Sequence, residues 1–393
     1  MPVPPRAPSR GGAPPSSPIR APREPSHVTS SVRPPSTPEP VLVAPLATQG
    51  IHQPQPGRRL ADNVAVTRGD RLRENLRYTR GRGALEIGII TAAVFIAFSI
   101  TSLIAPTAFP FLSESNLSGV ISQSIPVYAI LSIGAGILMI TDEFDLSLGA
   151  NIGFSAIVFI RVTESAGWPV GALVGIGAAV SIALINGVVV IATKIPSFIA
   201  TLGLGFFWLG ASYFVNGTAP AVLASDDGLK TLFAGDFGFF RSQLIWMIVI
   251  GVVAWVFLHR HKVGNHLFAV GGNAAAAKAI SINPVKVKLL AFALLGLMVG
   301  IAAILISVRT SAMQPGTTQD YTLLAIAGAV VGGCSLNGGR GSITGMIVGA
   351  ALIQLIQNGL ILAKAPGFYV QLFVGLLIVV AAVFNKLMEG MAS

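Results

Sequence analysis

The chain has 393 residues, of which 53% are hydrophobic and 11% charged, with a mean hydropathy of +0.74. That balance excludes a pair of water-soluble domains and describes a protein solvated by lipid, an all-α polytopic membrane protein. The formal net charge of +10 does not mark a nucleic-acid binder, because the basic residues lie in the N-terminal tail and in short loops rather than along one face.

Residues 1–83 are rich in Pro, Arg and Ser, carry almost no aromatic residue and show no helical period, so they are expected to be a disordered tail. They lack the apolar core of a secretory leader, and their arginines favour the cytoplasm. Two readings stand side by side. The tail is a plain extension, or an arm that docks on a partner or on anionic membrane lipid with the help of "TRGDRLRENLRYTRGRG" next to the first apolar run.

Ten apolar windows follow: 84–104, 117–140, 147–162, 168–192, 197–216, 242–258, 287–308, 321–336, 342–363 and 368–384. Several are shorter than the ~20 residues that a perpendicular helix needs, and the third and eighth are candidates for re-entrant segments. Charge supports an even count. With the tail inside, ten crossings put Lys194, the insert 259–288, Arg340 and Lys386 inside, and Asp226, Asp227 and Asp236 outside. Both termini are then cytoplasmic, with 84–386 as the membrane domain and 387–393 as a short C-terminal tail. Arg161, Arg309 and Lys364 fall outside singly, within snorkelling reach of an interface. Glycine-rich windows such as "GALVGIGAAVSIALING" allow close helix packing, in a compact core or at a dimer seam.

Acidic residues are nearly absent from the windows. The exceptions cluster in "TDEFDLSLGA", where Asp142, Glu143 and Asp145 stand between the second and third. Asp145 reads either as a cap for a helix opening at Leu146 or as a proton or cation site in an unwound segment. Polar residues inside the windows, among them Gln123, Asn186, Gln354 and Asn358, either tie helices together or line a polar path. The aromatic run holding Phe206, Phe207 and Trp208 reads evenly as packing and interfacial belt or as a stacking surface for a sugar ring.

Between the sixth and seventh windows lies "HRHKVGNHLFAVGGNAAAAKAISINPVKVK", with five Lys or Arg, three His and no acid, which places it on the cytoplasmic side. Asn273 can cap a helix over 274–280, and Asn283-Pro284 then turns the chain out of it. A short helix parallel to the membrane and outside it is built to touch a partner.

Chemistry is conspicuously missing from the rest. There is no GxxxxGK[ST], no HExxH, no GxSxG and no Cys/His metal spacing, so neither an enzyme nor a metal site is expected, and no cofactor. His259, His261 and His266 read as solvated loop residues, and the single cysteine, Cys334, as a small buried hydrophobe. A bundle without a P-loop takes energy from a partner, carries an ion on Asp142, Glu143 or Asp145 as a secondary transporter, or is a passive channel.

Two stretches carry a resemblance. "GILMITDEFDLSLGANIGFSA" resembles the "GGIDLSVGS" signature of monosaccharide permeases of the ribose-type ABC importer family, and "FAVGGNAAAAKAISINPVKVKLLAFALLGLMVGIAAIL" with "AIAGAVVGGCSLNGGRGSITGMIVGAALIQLIQNGL" is similar to that family's C-terminal half. The resemblance covers about 84–386. It implies a ten-helix importer membrane domain, an ABC ATPase subunit docked on a coupling helix at Gly271, Gly272, Asn273, Ala276, Ala277 and Lys278, an extracytoplasmic sugar-binding protein, and a second permease subunit, most simply a homodimer. The implied substrate is a monosaccharide such as ribose, xylose, galactose or inositol. The chain departs from the family's "GGNEEAARLSGI" by lacking Glu in the alanine run and by having Ser281 in place of Gly, and from "GGIDLS" by gaining Asp142 and Glu143.

Overall fold

In the computed structural model the described residues are 84–383, apart from 225–226, 239, 370, 377–378 and 381–382, so the expected tail 1–83 and the C-terminal 387–393 lie outside them. Helix α1 spans Ala84–Ile104 and presents most of its apolar side chains outward, as a lipid-facing helix does. A short α2, Glu114–Gly119, runs through a π turn, Val120–Ser124, into α3, Ile125–Ile140. The π turn has a local cause. Pro126 lacks an amide proton and its ring crowds the carbonyl four residues back, and widening the turn just upstream relieves both. In α3 every residue except Tyr128 is buried, so this apolar helix is the axis of the bundle.

After an interruption at 141–147 come α4 (Leu148–Ala166), α5 (Trp168–Thr193) and α6 (Ser197–Asn216). A small outer layer follows: β1 (Ala221–Val222), α7 (Asp227–Ala234) and the hairpin β2 (Asp236–Phe237) with β3 (Phe240–Arg241). Helix α8 (Ser242–Arg260) leads into α9 (Lys262–Gly272) and α10 (Ala274–Ala279), then α11 (Pro284–Thr310). Strand β4 (Ala312–Met313) pairs antiparallel with β1, with Ala221 opposite Met313. Helices α12 (Asp320–Val331) and α13 (Ile343–Leu362) complete the bundle, followed by an apolar helical piece, Gly367–Leu376.

Hydrogen bonds sort the connections into two ends. At one end the Ile140 carbonyl accepts from the Gly339 amide at 2.9 Å, the Phe144 amide donates to Ser197 Oγ at 3.0 Å, and Lys288 pairs with Glu143. This is the basic end, since it carries 259–288. At the opposite end Arg161 donates to Asn216 Oδ1 at 2.8 Å, Asn116 and Asn358 exchange amide bonds, the Leu223 amide donates to the Ser311 carbonyl at 2.9 Å, and β1 pairs with β4. Residues 141–166 therefore join both ends, and residues 311–341 do the same.

The expectation of ten full spans is not confirmed. Seven helices among the described residues are long and apolar enough to cross a membrane; the third and eighth predicted spans do not meet that measure, and the tenth lies partly outside the described residues. Asn151, Arg161 and Glu164 make α4 more polar than a lipid-facing helix. Helix α12 has 12 residues, which at 1.5 Å per residue is about 18 Å. The missing length is supplied by backbone that is not helical. Residues 141–147 enter the bundle from the basic end and 311–319 from the opposite end, and irregular backbone at such depth is tolerated only inside protein.

The two halves repeat this plan upside down. Helix α3, interrupted, leads to α4 and α5; α11, interrupted, leads to α12 and α13, running the other way. Accordingly α11 packs on α5 as α3 packs on α13, and α4 packs on α5 as α12 packs on α13. Inverted repeats with broken helices meeting inside the bundle are a recurrent transporter plan.

Candidate functional site

The stretch 141–147 is held from several sides. Thr141 Oγ1 bonds back to the Leu138 carbonyl at 2.7 Å, the Leu146 amide donates to Thr201 Oγ1 at 2.9 Å, and Thr201 Oγ1 in turn bonds the Ser197 carbonyl at 2.8 Å. Asp145 is buried. Its Oδ1 accepts from the Ser147 amide at 2.8 Å and the Ser147 hydroxyl at 2.6 Å, and its Oδ2 accepts from Asn186 Nδ2 at 3.2 Å. Asn186 also donates to Ser147 Oγ at 2.6 Å and accepts Trp208 Nε1 at 3.2 Å. A continuous polar chain thus links Asp145, Ser147, Asn186 and Trp208 across α5 and α6. The helix it precedes opens at Leu148, two residues later than expected at Leu146, because the Asx turn from Asp145 to the Ser147 amide occupies the first positions.

The three acids do not share one site. Asp142 is exposed, in a left-handed conformation with φ 63°. Glu143 is buried against Lys288 Nζ at 2.5 Å. Asp145 is enclosed by its own donors. Among the described residues no group of three His, Cys, Asp or Glu could hold a metal ion.

Helix α4 begins where the two interruptions meet. The Gly149 amide donates to Thr322 Oγ1 at 2.8 Å, and Thr318 Oγ1 donates to the Gly149 carbonyl at 2.6 Å. Only glycine fits there, since a Cβ at 149 would meet the Thr318 carbonyl and Thr322 Oγ1.

The basic-end segment is more ordered than a loop with one helix. Asn273 Oδ1 accepts the Ala276 amide at 2.9 Å and so caps α10, as its sequence predicts. The helix ends at Ala279 with Ser281 at φ 65° and the Ile282 amide bonded to the Ala277 carbonyl at 3.0 Å, a Schellman-like ending in which glycine would be the easier residue. Asn283 Oδ1 then accepts the Val285 and Lys286 amides and caps α11, with Pro284 in its first turn. Of the six residues predicted to couple to a partner, Gly272, Asn273, Ala276 and Lys278 are exposed; Gly271 and Ala277 are buried. A Cβ at Gly271 would run into the Ile140 carbonyl and the Gly339 amide, so this glycine seats the segment against the bundle. Helix α9 was not foreseen. Its signal is the spacing of Val263, Leu267 and Val270, with Leu267 and Val270 buried.

The predicted path residues are not brought together. Asn186 belongs to the Asp145 chain. Gln123 is half-buried on the π turn, Gln354 bonds Gln357 at 2.9 Å, and Asn358 bonds Asn116 near the opposite end. Phe206 and Phe207 point off α6, 69% and 62% exposed, with Phe207 edge-on to Trp208 at 5.0 Å between centroids.

Residues 116–382 match the family described as branched-chain amino acid transport system / permease component. The ribose import permease protein of Escherichia coli K12 is 31% identical over 300 residues, which covers 74% of this chain and 90% of the relative. An L-arabinose ABC transporter permease protein of Azospirillum brasilense is 30% identical over 301 residues, 76% of this chain and 86% of the relative. The fructose import permease protein of Rhizobium meliloti is 28% identical over 315 residues, 77% and 87% respectively. No solved structure matches the chain at a significant level.

Proposed function

The chain belongs to this family of transport-system permease components, and from that premise we propose that it is the membrane subunit of an ABC importer for a monosaccharide, energised by a separate ATPase. The observation that carries the reading is the coupling segment: α10 is capped at both ends, exposes Gly272, Asn273, Ala276 and Lys278, and is seated on the bundle by Gly271 and Ala277. A short helix so fixed transmits a push from a docked partner into the bundle. By the positive-loop rule the basic end faces the cytoplasm, with both termini, and the opposite end receives sugar from an extracytoplasmic binding protein. The domain plan is a permease body over 84–386, flanked by the basic tail 1–83 and the short piece 387–393.

Relatives named for ribose, L-arabinose and fructose point to a pentose or hexose as the solute. Phe206 and Phe207 lie on the outside of a single copy, so they line a path only where a second permease subunit, in a homodimer, faces them across it; elsewhere the bundle meets membrane lipid. The two buried acids, Glu143 and Asp145, have separate partners, which favours a partner-driven importer over an ion-coupled carrier.

The test is reconstitution of the permease with its ATPase and binding protein. Ribose, arabinose or fructose is expected to stimulate ATP hydrolysis, and Ala276→Glu, on the exposed face of α10, to abolish ATPase association with insertion intact. Sugar uptake that persists without the ATPase subunit would overturn the reading.

A further inference from the structure

The coupling segment meets the chain at two points around the interrupted stretch 141–147. Gly271 closes on the carbonyl of Ile140, one residue before the stretch, and Lys288 reaches Glu143 inside it at 2.5 Å. Between these grips the chain has little slack. The Ile282–Ala277 bond, left-handed Ser281 and the Asn283 cap join α10 to α11 within four residues, so a displacement of α10 is carried to Lys288, in the second turn of α11. Beyond Glu143 the chain bonds α6 through Phe144 and Ser197, and two residues on lies Asp145, with its chain to Trp208. Glu143 is only 8% exposed, yet the bonds that fix 141–147 to α5 and α6 do not use it. A buried ion pair adds little stability over an apolar pair of the same volume, but it fixes two groups in one orientation.

We propose that the Glu143–Lys288 pair is a strut through which the coupling segment positions the interrupted stretch, and with it the Asp145–Asn186–Trp208 chain, during transport. The proposal rests on the ATP-driven reading above. Glu143 and Lys288 are positioning residues, and they need not touch solute.

The test uses the reconstituted complex and uptake of radiolabelled ribose, arabinose and fructose offered together, measured per ATP hydrolysed. Lys288→Met alone strands a buried carboxylate and can fail to fold, so the decisive variant is the neutral double, Glu143→Gln with Lys288→Met. The strut predicts that this double inserts and keeps its ATPase, yet loses about tenfold in sugar moved per ATP, the range of a typical coupling term. The reversed pair, Glu143→Lys with Lys288→Glu, should regain most of that ratio. A neutral double that couples like the wild type, or a reversed pair no better than the neutral one, overturns the strut. Failure of the underlying reading is distinguishable, because the wild-type chain would then take up sugar with no ATPase present.

Discussion

The two interruptions, 141–147 and 311–319, solve one problem in different ways. Each brings irregular backbone into a bundle where unsatisfied amides and carbonyls are costly, and each ends at a helix start beside Gly149. The first is gripped by side chains from neighbouring helices, through Ser197, Thr201, Asn186 and Lys288, and buries two carboxylates. The second is tied by backbone pairing of β4 with β1, by Tyr213 Oη donating to the Pro315 carbonyl at 3.2 Å, and by its own threonines. No acid lies between Arg309 and Asp320. The first stretch is therefore a fixed part that moves with its anchors, whereas the second is held by bonds between neutral groups, which are weaker than charge-assisted ones, and is the softer of the two.

Removing the grip on the first stretch should have the largest effect. Asp145→Leu leaves the Ser147 amide and hydroxyl without their acceptor and Asn186 Nδ2 with Ser147 Oγ alone, in a buried place, a loss of about 4 kcal/mol. Folded protein recovered by size exclusion in detergent should fall to a small fraction. Normal recovery would show that the polar grip is dispensable and erase the contrast.

The meeting point comes next. Gly149→Val forces a branched side chain against the Thr318 carbonyl and Thr322, and overpacking of this kind costs about 3 kcal/mol. A sharply lower thermal midpoint is expected. An unchanged midpoint would mean that the two stretches do not touch.

Gentler changes sharpen the contrast. Asp145→Asn keeps an oxygen for Ser147 but turns an amide toward the Asn186 amide; if Asn186 flips to accept it, Trp208 loses its acceptor. One such mismatch is worth about 2 kcal/mol. Trp208→Phe removes only the last link, leaving Asn186 Oδ1 unpaired, and should cost about 1 kcal/mol. If the polar chain is one unit, adding Trp208→Phe to Asp145→Asn lowers the midpoint by less than the sum of the two. Additive losses would show independent bonds.

What could be read from the sequence follows the range of the interactions involved. The cap at Asn273 is legible because a cap bonds amides two or three residues on, whereas Asn283-Pro284 reads as a turn and the structure adds that Asn283 caps the next helix. The all-α membrane class follows from apolar composition, and most window edges agree with the helices to within a few residues. By contrast 311–319 reads as an ordinary loop, since nothing local says that it descends into the bundle, and the shortness of the eighth window marks it only as a candidate re-entrant segment. Helix α9 was hidden by its His and Lys content, which reads as solvated loop. The Glu143–Lys288 pair joins residues 145 apart, and no local pattern announces it. Among the expected path residues, composition could mark polar side chains in apolar windows, but only packing assigns Asn186 to the Asp145 chain and Asn358 to Asn116.

The smallest effect should come from the softer stretch. Thr318→Val keeps the shape of the side chain and removes the hydroxyl that donates to the Gly149 carbonyl. That carbonyl stands at the first turn of α4 and is free to accept from the amide four residues on, so the loss is one neutral bond, about 1 kcal/mol. Its mirror partner is Thr322→Val, which removes the acceptor of the Gly149 amide, a group at a helix start with no carbonyl of its own helix to turn to. The pair of valine variants separates the two interruptions at their contact: Thr322→Val should lower the midpoint more than Thr318→Val. Equal shifts, or a larger one from Thr318→Val, would mean that 311–319 is as firmly held as 141–147.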